Sequence, residues 1–224
     1  QGWRWRPVRR KKRLTSSSFS KTSLQFFAAL QTAVARIAYP EEDRLVSVER
    51  VCGVDLAYSR GRCGAAAVVY SLKDAKVVEQ AAKTYAEQPA PYIPGFLFLR
   101  EGPPLLELLS TVRTGFDVLL VDGHGRAHPR RCGLATLLGF VAGIPSIGVA
   151  KSLLVGELQS AESYSKIVEA GEVLGLRRGP AYYSQGFGVS FNDLLRVSEL
   201  FGDRYPEALR IADRLSRQAL EEKS

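Results

Sequence analysis

Two short apolar runs, residues 51–58 and 64–71, and a third strand-like segment, 76–85, follow one another early in the chain and set what it can fold into. Ser59-Arg60-Gly61-Arg62 between the first two reads as a hairpin turn. After this meander, helical and strand-like segments alternate. Residues 97–112 read as helix, 116–121 as an apolar strand, 132–142 as helix and 146–150 as another buried strand. Residues 173–177 and 187–191 are two further strand-like pieces, with helices expected near 194–201 and 206–222. The order predicts an α/β layer fold: a mixed central sheet, antiparallel meander first and parallel strands after, flanked by helices. Ahead of the sheet, Leu24, Phe27, Leu30, Val34 and Ile37 recur at helical spacing, predicting an amphipathic helix over 22–38.

A chain of 224 residues is long enough for one domain with a substantial core. No repeat or second domain is visible, so residues 20–224 are expected to form a single domain. Residues 1–19 read as a basic arm that stays flexible. They hold Arg4, Arg6, Arg9, Arg10, Lys11, Lys12 and Arg13 with no acid, so most of the net charge of +8 lies there. Trp3 and Trp5 alternate with the first arginines, which suits phosphate attraction combined with base stacking; the alternative is a solvated tail. No apolar run reaches the ~18 residues that span a membrane, and no apolar signal core follows the basic start. The expectation is a cytoplasmic protein without membrane contact. It is expected to be monomeric, since no apolar stripe is left over. Three cysteines, Cys52, Cys63 and Cys132, without a Cys-x-x-Cys pair argue against a disulfide framework or a zinc ribbon. Cys52 and Cys63 flank the hairpin turn and could be neighbours across it; buried thiols are the expectation.

Two carboxylates stand out. Asp55 lies inside the apolar run Val51-Cys52-Gly53-Val54-Asp55-Leu56, and Asp122 ends the run Val118-Leu119-Leu120-Val121. A buried carboxylate is costly unless it is paired or bound to metal. In sheets covered by helices, ligands collect beyond strand ends. Two carboxylates from the sheet, joined by others from helices, make an oxygen-rich site that suits Mg²⁺ or Mn²⁺ better than zinc. An Asp after a strand also serves as a turn or cap. Neither a Walker loop nor a G-x-G-x-x-G fingerprint occurs, so nucleotide hydrolysis and a nicotinamide cofactor are not favoured. The only histidines, His124 and His128, stand among Gly123, Gly125 and Pro129, which argues against a helical zinc pair. A loop histidine beside a metal-bound phosphate is the better reading.

Three longer stretches carry a resemblance. Pro91-Tyr92-Ile93-Pro94-Gly95-Phe96-Leu97 runs on to Arg100-Glu101-Gly102-Pro103. Leu120-Val121-Asp122-Gly123-His124-Gly125-Arg126-Ala127-His128-Pro129-Arg130-Arg131 follows, and then Ile144-Pro145-Ser146-Ile147-Gly148-Val149-Ala150-Lys151-Ser152. With Gly53-Val54-Asp55 upstream, their order and spacing resemble the endonuclease V family over residues 22–215, with the basic arm outside.

The resemblance implies a ribonuclease-H-like fold and a DNA-repair endonuclease acting on DNA that contains deoxyinosine, the product of adenine deamination. Such an enzyme hydrolyses the second phosphodiester 3′ to the lesion, leaving a 3′-hydroxyl and a 5′-phosphate. It implies an acidic site of Asp55, Glu101 and Asp122 with Mg²⁺ as cofactor and Mn²⁺ as a substitute. Asp55 and Asp122 would hold the metal directly, Glu101 beside it or through water, with His128 and Lys151 near the scissile phosphate. Tyr92 matches the family's wedge residue; an aromatic on a proline-stiffened tip can replace a lost stacking partner. Gly95, Leu97, Gly123, Gly125, Gly133 and Leu134 would line the base pocket, where a backbone N–H facing O6 rejects adenine and a wall at C2 rejects guanine. Arg126, Arg130 and Arg131 are candidate phosphate contacts. Where the family often has a histidine after Val-Ser-Pro-Gly, Val189-Ser190-Phe191-Asn192-Asp193 offers Asp193 as a further metal ligand. Leu137 replaces a polar residue common in the helix after His128. Three alternatives stay open: an endoribonuclease cutting single-stranded RNA near inosine, a non-catalytic nucleic-acid-binding protein relying on the arm, and a ribonuclease-H-like junction resolvase or hybrid nuclease, which would share the carboxylates but not the wedge loop.

Overall fold

A computed structural model of the chain describes residues 19–221. The basic arm, with Trp3 and Trp5, and the last residue of the helix expected over 206–222 lie outside the described residues. Helix α1 (Lys21–Ala38) is capped by Ser20, whose hydroxyl accepts from the Ser23 N–H. Strands β1 (Arg50–Ser59), β2 (Arg62–Ser71) and β3 (Lys76–Tyr85) form the expected meander. Arg60 and Gly61 both have positive φ, as a tight hairpin turn matched to strand twist requires. Then come α2 (Leu97–Leu109), β4 (Val118–Asp122), α3 (Leu134–Ala142) and β5 (Ser146–Ala150). The chain continues through β6 (Glu157–Ser160), β7 (Ser165–Glu169), β8 (Glu172–Arg178) and β9 (Ala181–Gln185), and closes with α4 (Phe191–Glu199) and α5 (Glu207–Glu221).

The nine strands make one sheet in the order β3-β2-β1-β4-β5-β9-β8-β7-β6. Strands β1, β4 and β5 run parallel; the other pairings are antiparallel. The mixed sheet is the one expected, with differences in its second half. No strand forms over 187–191: Gly188 turns the chain at φ 68°, and Val189 is a buried loop residue in the core. The strand lies earlier, at β9. Strand β6 carries no apolar alternation, since all four residues are exposed. Its state comes from pairing with β7 at the sheet edge, which no period in the sequence announces. Cys52 and Cys63 are not neighbours, because the register sets Cys52 against Val69 and Cys63 against Tyr58. All three thiols are free and buried, and burial pushes Cys52 up to about 12 and Cys63 to about 11.

Alternation along each strand sorts residues onto two faces. On one, Val51, Val118, Leu120, Ile147, Val149 and Tyr183 pack with Leu194 of α4 and Leu209 of α5. On the other, Cys52, Val54, Leu119 and Val121 pack with Leu105 and Leu108 of α2 and with Leu134 and Leu138 of α3. Helix α1 lies on α3, burying Val34 and Ala38 against Leu137; Leu137 is apolar because a helix covers it. Helix α5 comes unusually close to the sheet. A Cβ at Gly53 would stand 2.6 Å from the Ala208 backbone, and one at Gly64 2.2 Å from the Ser216 carbonyl oxygen. These two glycines let α5 down onto β1 and β2, which positions the site. Among the described residues, no helix is long and apolar enough to cross a membrane.

Candidate active site

Val54 pairs with Val121 across the parallel β1–β4 ladder, so Asp55 and Asp122, one residue further on, stand side by side at the C-terminal rim. Asp122 in turn pairs with Val149, which puts Lys151 just past the end of β5. By strand alternation all three side chains belong to the face that α5 covers. Helix α5 adds Asp213, which shares its inward stripe with Leu209, Ser216 and Leu220 at helical spacing. The Lys151 ammonium lies 2.9 Å from Asp122 and 3.8 Å from Asp213. Asp213 also receives Arg217 at 2.8 Å and a hydrogen bond from Asp55.

The crowding shows in the protonation of these groups. Burial, reinforced by the Asp122 charge, raises Asp55 to about 8. Burial would raise Asp213 too, but Arg217, Lys151 and the hydrogen bond from Asp55 outweigh it and hold Asp213 below the usual range. Between the two, Asp55 keeps the proton. Burial would lower Lys151, yet its hydrogen bond to Asp122 and the surrounding carboxylates raise it, so the ammonium persists. Glu101 reaches the rim from α2, on the opposite face. Burial raises it to about 7, opposed by Tyr58 and Arg100 and assisted by the Asp122 charge. The Tyr58 hydroxyl donates to Glu101 at 2.9 Å, and the Arg100 guanidinium covers the Tyr58 ring at 3.9 Å. Burial and the Glu101 charge push the Tyr58 phenol up, so it remains a donor at neutral pH.

Asp55, Asp122, Asp213 and Glu101 offer only hard oxygen donors, which fits Mg²⁺ or Mn²⁺ and not zinc. Among the described residues, no group of three or more His, Cys, Asp or Glu side chains stands as a finished metal cage. Lys151 lies among the oxygens instead. Carboxylates that repel one another and retain a proton are groups whose charge a divalent cation compensates, with release of that proton. Two cavities, of about 700 and 500 Å³, lie elsewhere: beside the α4–α5 link, and between α1 and Arg126, Arg130 and Arg131. The four acids are each partly exposed.

The structure does not bring Asp193 to this rim. It is fully buried in the first turn of α4, in a reciprocal cap with Ser190. It accepts from the backbone N–H groups of Arg44 at 2.9 Å and Leu45 at 3.2 Å, and pairs with Arg196. Although burial opposes it, these bonds hold Asp193 below the usual range. Both oxygens are committed to structure, and the helical acid that reaches the site is Asp213. Its signal in the sequence was an acid on the otherwise apolar stripe of α5.

His128 also differs from expectation. It is 5% exposed, its Nδ1 accepts from the Arg130 N–H at 3.2 Å, and its ring is hydrogen-bonded to the Gly95 backbone. Burial, then the Arg130 charge, lowers it to about 4, so it is neutral at pH 7. Gln31, at 3.2 Å, and Arg130 donate to the same Gly95 carbonyl. These contacts anchor the 91–95 loop, from which Tyr92 projects, 59% exposed. Arg126 and Arg131 are countered by Glu172, at 2.7 Å each, and Arg131 also by Glu169. They tie this loop region to the β7–β8 turn.

The expected pocket residues divide in two. Gly123, at φ 144°, lies beside Leu134, and Leu134 and Leu97 share the α2–α3 core. Gly125 and Gly133 serve close backbone packing: a Cβ would meet the Gln185 carbonyl oxygen at 2.0 Å or that of His124 at 2.1 Å. His124 sits near the rim, its Nε2 3.0 Å from the Ser152 carbonyl oxygen.

A meander leading into parallel strands, with acids midway along the first strand, at the end of the fourth and on a closing helix, defines a ribonuclease-H-like nuclease. The chain belongs to the endonuclease V family, whose model, described as Endonuclease V, matches residues 30–214. Endonuclease V of Sulfolobus acidocaldarius is 35% identical over 198 residues, 87% of this chain and 95% of its own. The crystal structure of Endonuclease V from Streptomyces avermitilis superposes with a TM-score of 0.80 at 30% identity, covering 94% of this chain and 97% of that one. Ciona intestinalis Endonuclease V, crystallised with a 24mer DNA containing an inosine followed by a ribo-adenosine, matches at a TM-score of 0.79 and 25% identity, covering 91% of this chain and 100% of its own.

Proposed function

We propose that this chain is a Mg²⁺-dependent endonuclease that cuts DNA at the second phosphodiester 3′ to deoxyinosine, initiating repair of deaminated adenine, with Mn²⁺ able to replace Mg²⁺. The observation that carries the reading is the meeting of Asp55, Asp122 and Asp213 on one sheet rim with Glu101 across it and Lys151 between. A pure binding protein gains nothing from carboxylates crowded where phosphates must come. Asp55, Asp122 and Asp213 would hold the ion, with Glu101 beside them; bound there, a divalent cation would supply polarisation of the phosphate and a lowered pKa for an attacking water. Lys151 sits where it can stabilise charge on the scissile phosphate. Tyr92 enters the strand where the lesion leaves it, and Gly123, Leu97 and Leu134 frame the extruded base. The catalytic unit is residues 20–224, a cytoplasmic monomer to which the basic arm adds phosphate contacts.

The inosine-specific endoribonuclease reading keeps a specific support, since the DNA bound by the Ciona relative carries a ribo-adenosine after its inosine. One assay separates the two: labelled single-stranded DNA with one deoxyinosine, and the matched inosine RNA, each with Mg²⁺ and with EDTA. A Mg²⁺-dependent cut one nucleotide past the lesion in DNA is the expected result. Cutting of RNA alone moves the substrate, and cutting of neither removes the proposal.

A further inference from the structure

Helix α2 carries Glu101 just before Pro103 and Pro104. Neither proline has an N–H, so the helix lacks the hydrogen bonds that residues 103 and 104 would give to the carbonyls of Leu99 and Arg100. The turn bearing Arg100 and Glu101 is therefore weakly tied to the rest of its own helix. Tyr58 supplies a tie from outside. It lies three residues beyond Asp55 on β1 and thus faces the opposite side of the sheet, toward α2. Its hydroxyl donates to Glu101 Oε1 at 2.9 Å, and its ring lies 3.9 Å under the Arg100 guanidinium. The Arg100 Nε is buried without a hydrogen-bond partner, and the Tyr58 ring and the Glu101 charge are what hold that side chain. One residue of the strand that carries Asp55 thus fixes two successive residues of the turn that carries Glu101.

We propose that Tyr58 is a positioning residue of the nuclease site, holding Glu101 toward Asp122 through its hydroxyl and steadying the proline-weakened turn through its ring. The proposal rests on the metal-dependent reading of Asp55, Asp122 and Glu101 given above. It assigns the two halves of the tyrosine separate tasks, so Tyr58→Phe removes one and keeps the other.

The test uses the full chain and three readouts: Mg²⁺ binding by calorimetry without nucleic acid, steady-state cutting of the deoxyinosine strand, and melting temperature. Loss of a hydrogen bond that orients a metal-site carboxylate typically costs about 10- to 100-fold in affinity or activity. Tyr58→Phe is expected to weaken Mg²⁺ binding and lower kcat by about tenfold, with KM within about twofold and an unchanged melting temperature. In a Glu101→Gln background the same change should add nothing, because the two groups act as a unit. Wild-type Mg²⁺ binding and kcat in Tyr58→Phe, or independent losses in the double variant, overturn the proposal. If the wild type does not cut inosine strands, the functional reading fails, while the Mg²⁺ isotherms of wild type and Tyr58→Phe still decide the role of the hydroxyl.

Discussion

The carboxyl groups of Asp55 and Asp213 share one hydrogen bond, and the two are driven in opposite directions, Asp55 up to about 8 and Asp213 below its usual range. A strand near the start of the sheet and the last helix thus hold a single proton between them, beside Asp122 and Lys151. The pair separates acids that serve the site from acids that serve the fold.

Asp213 and Asp193 give opposite outcomes on that basis. Asp213→Asn should lower the melting temperature only slightly, because the partly exposed ion pairs with Arg217 and Lys151 that it gives up are weak, while cleavage falls by about a hundredfold or more. Asp193→Ala should cost about 1–3 kcal/mol of stability, since it strips a cap and leaves buried N–H groups unpaired. The folded fraction of that variant should cut at close to the wild-type rate. Denaturant titration alongside single-turnover cleavage distinguishes them; inactive but stable Asp193→Ala would reverse the assignment.

Stability of the metal-free protein should fall as pH rises above neutrality. Asp55 ionises from 3.8 when unfolded but only near 8 when folded, so unfolding releases a proton throughout that window. Its contribution is complete below 3.8 and is lost as pH rises through about 8. His128 acts in the other direction: its folded value is about 4 against 6.5, so stability is lost as pH drops across that interval. Melting curves in EDTA should therefore decline between pH 6.5 and 8.5, a decline that Asp55→Asn flattens. Mg²⁺ should raise the melting temperature more at the upper pH, because its binding displaces the Asp55 proton. A pH-independent melting temperature in EDTA would falsify this account of Asp55.

Lys151→Met removes the ammonium that lies 2.9 Å from Asp122. The cleavage rate should drop by about a hundredfold or more, and substrate affinity much less. Lys151→Arg should recover part of the rate. Equal losses in binding and in rate would make Lys151 a general phosphate anchor.

Arg130→Ala deletes a donor to the Gly95 carbonyl and its hydrogen bond to Gln31, 2.7 Å. The 91–95 loop then hangs on His128 and Gln31. Losing about 1–1.5 kcal/mol of orientation should raise KM for inosine strands about tenfold with kcat nearly retained. Proteolytic nicking of the loop should increase. An unaltered KM would mean that the clamp does not set the position of Tyr92.

The difference between Asp193 and Asp213 shows how far the sequence reads. An apolar run broken by Asp55 and another ended by Asp122 mark two acids delivered by strands before any coordinates, because a strand has a period and a buried charge is conspicuous. The meander, the central parallel strands and the proline loop bearing Tyr92 are visible for the same local reason. Strand β6 is not, since its exposed residues become a strand only by pairing with β7 at the sheet edge.

The sequence by itself determined the meander and the central parallel strands, the layered class and the carboxylates that those strands deliver, each a matter of periodicity and local polarity. Tertiary structure decided which helical acid joins them. Asp193 and Asp213 are both acids on buried helix faces, and no local signal ranks them. What ranks them is the descent of α5 onto Gly53 and Gly64, which leaves backbone no room for a Cβ and carries Asp213 to the rim. Packing of α4 against residues 44–45 turns Asp193 toward backbone N–H groups that consume its charge. On the other face of the sheet, α2 sets Arg100 over the Tyr58 ring and Glu101 against its hydroxyl. Such contacts depend on the distance between elements far apart in the chain, which periodicity does not encode.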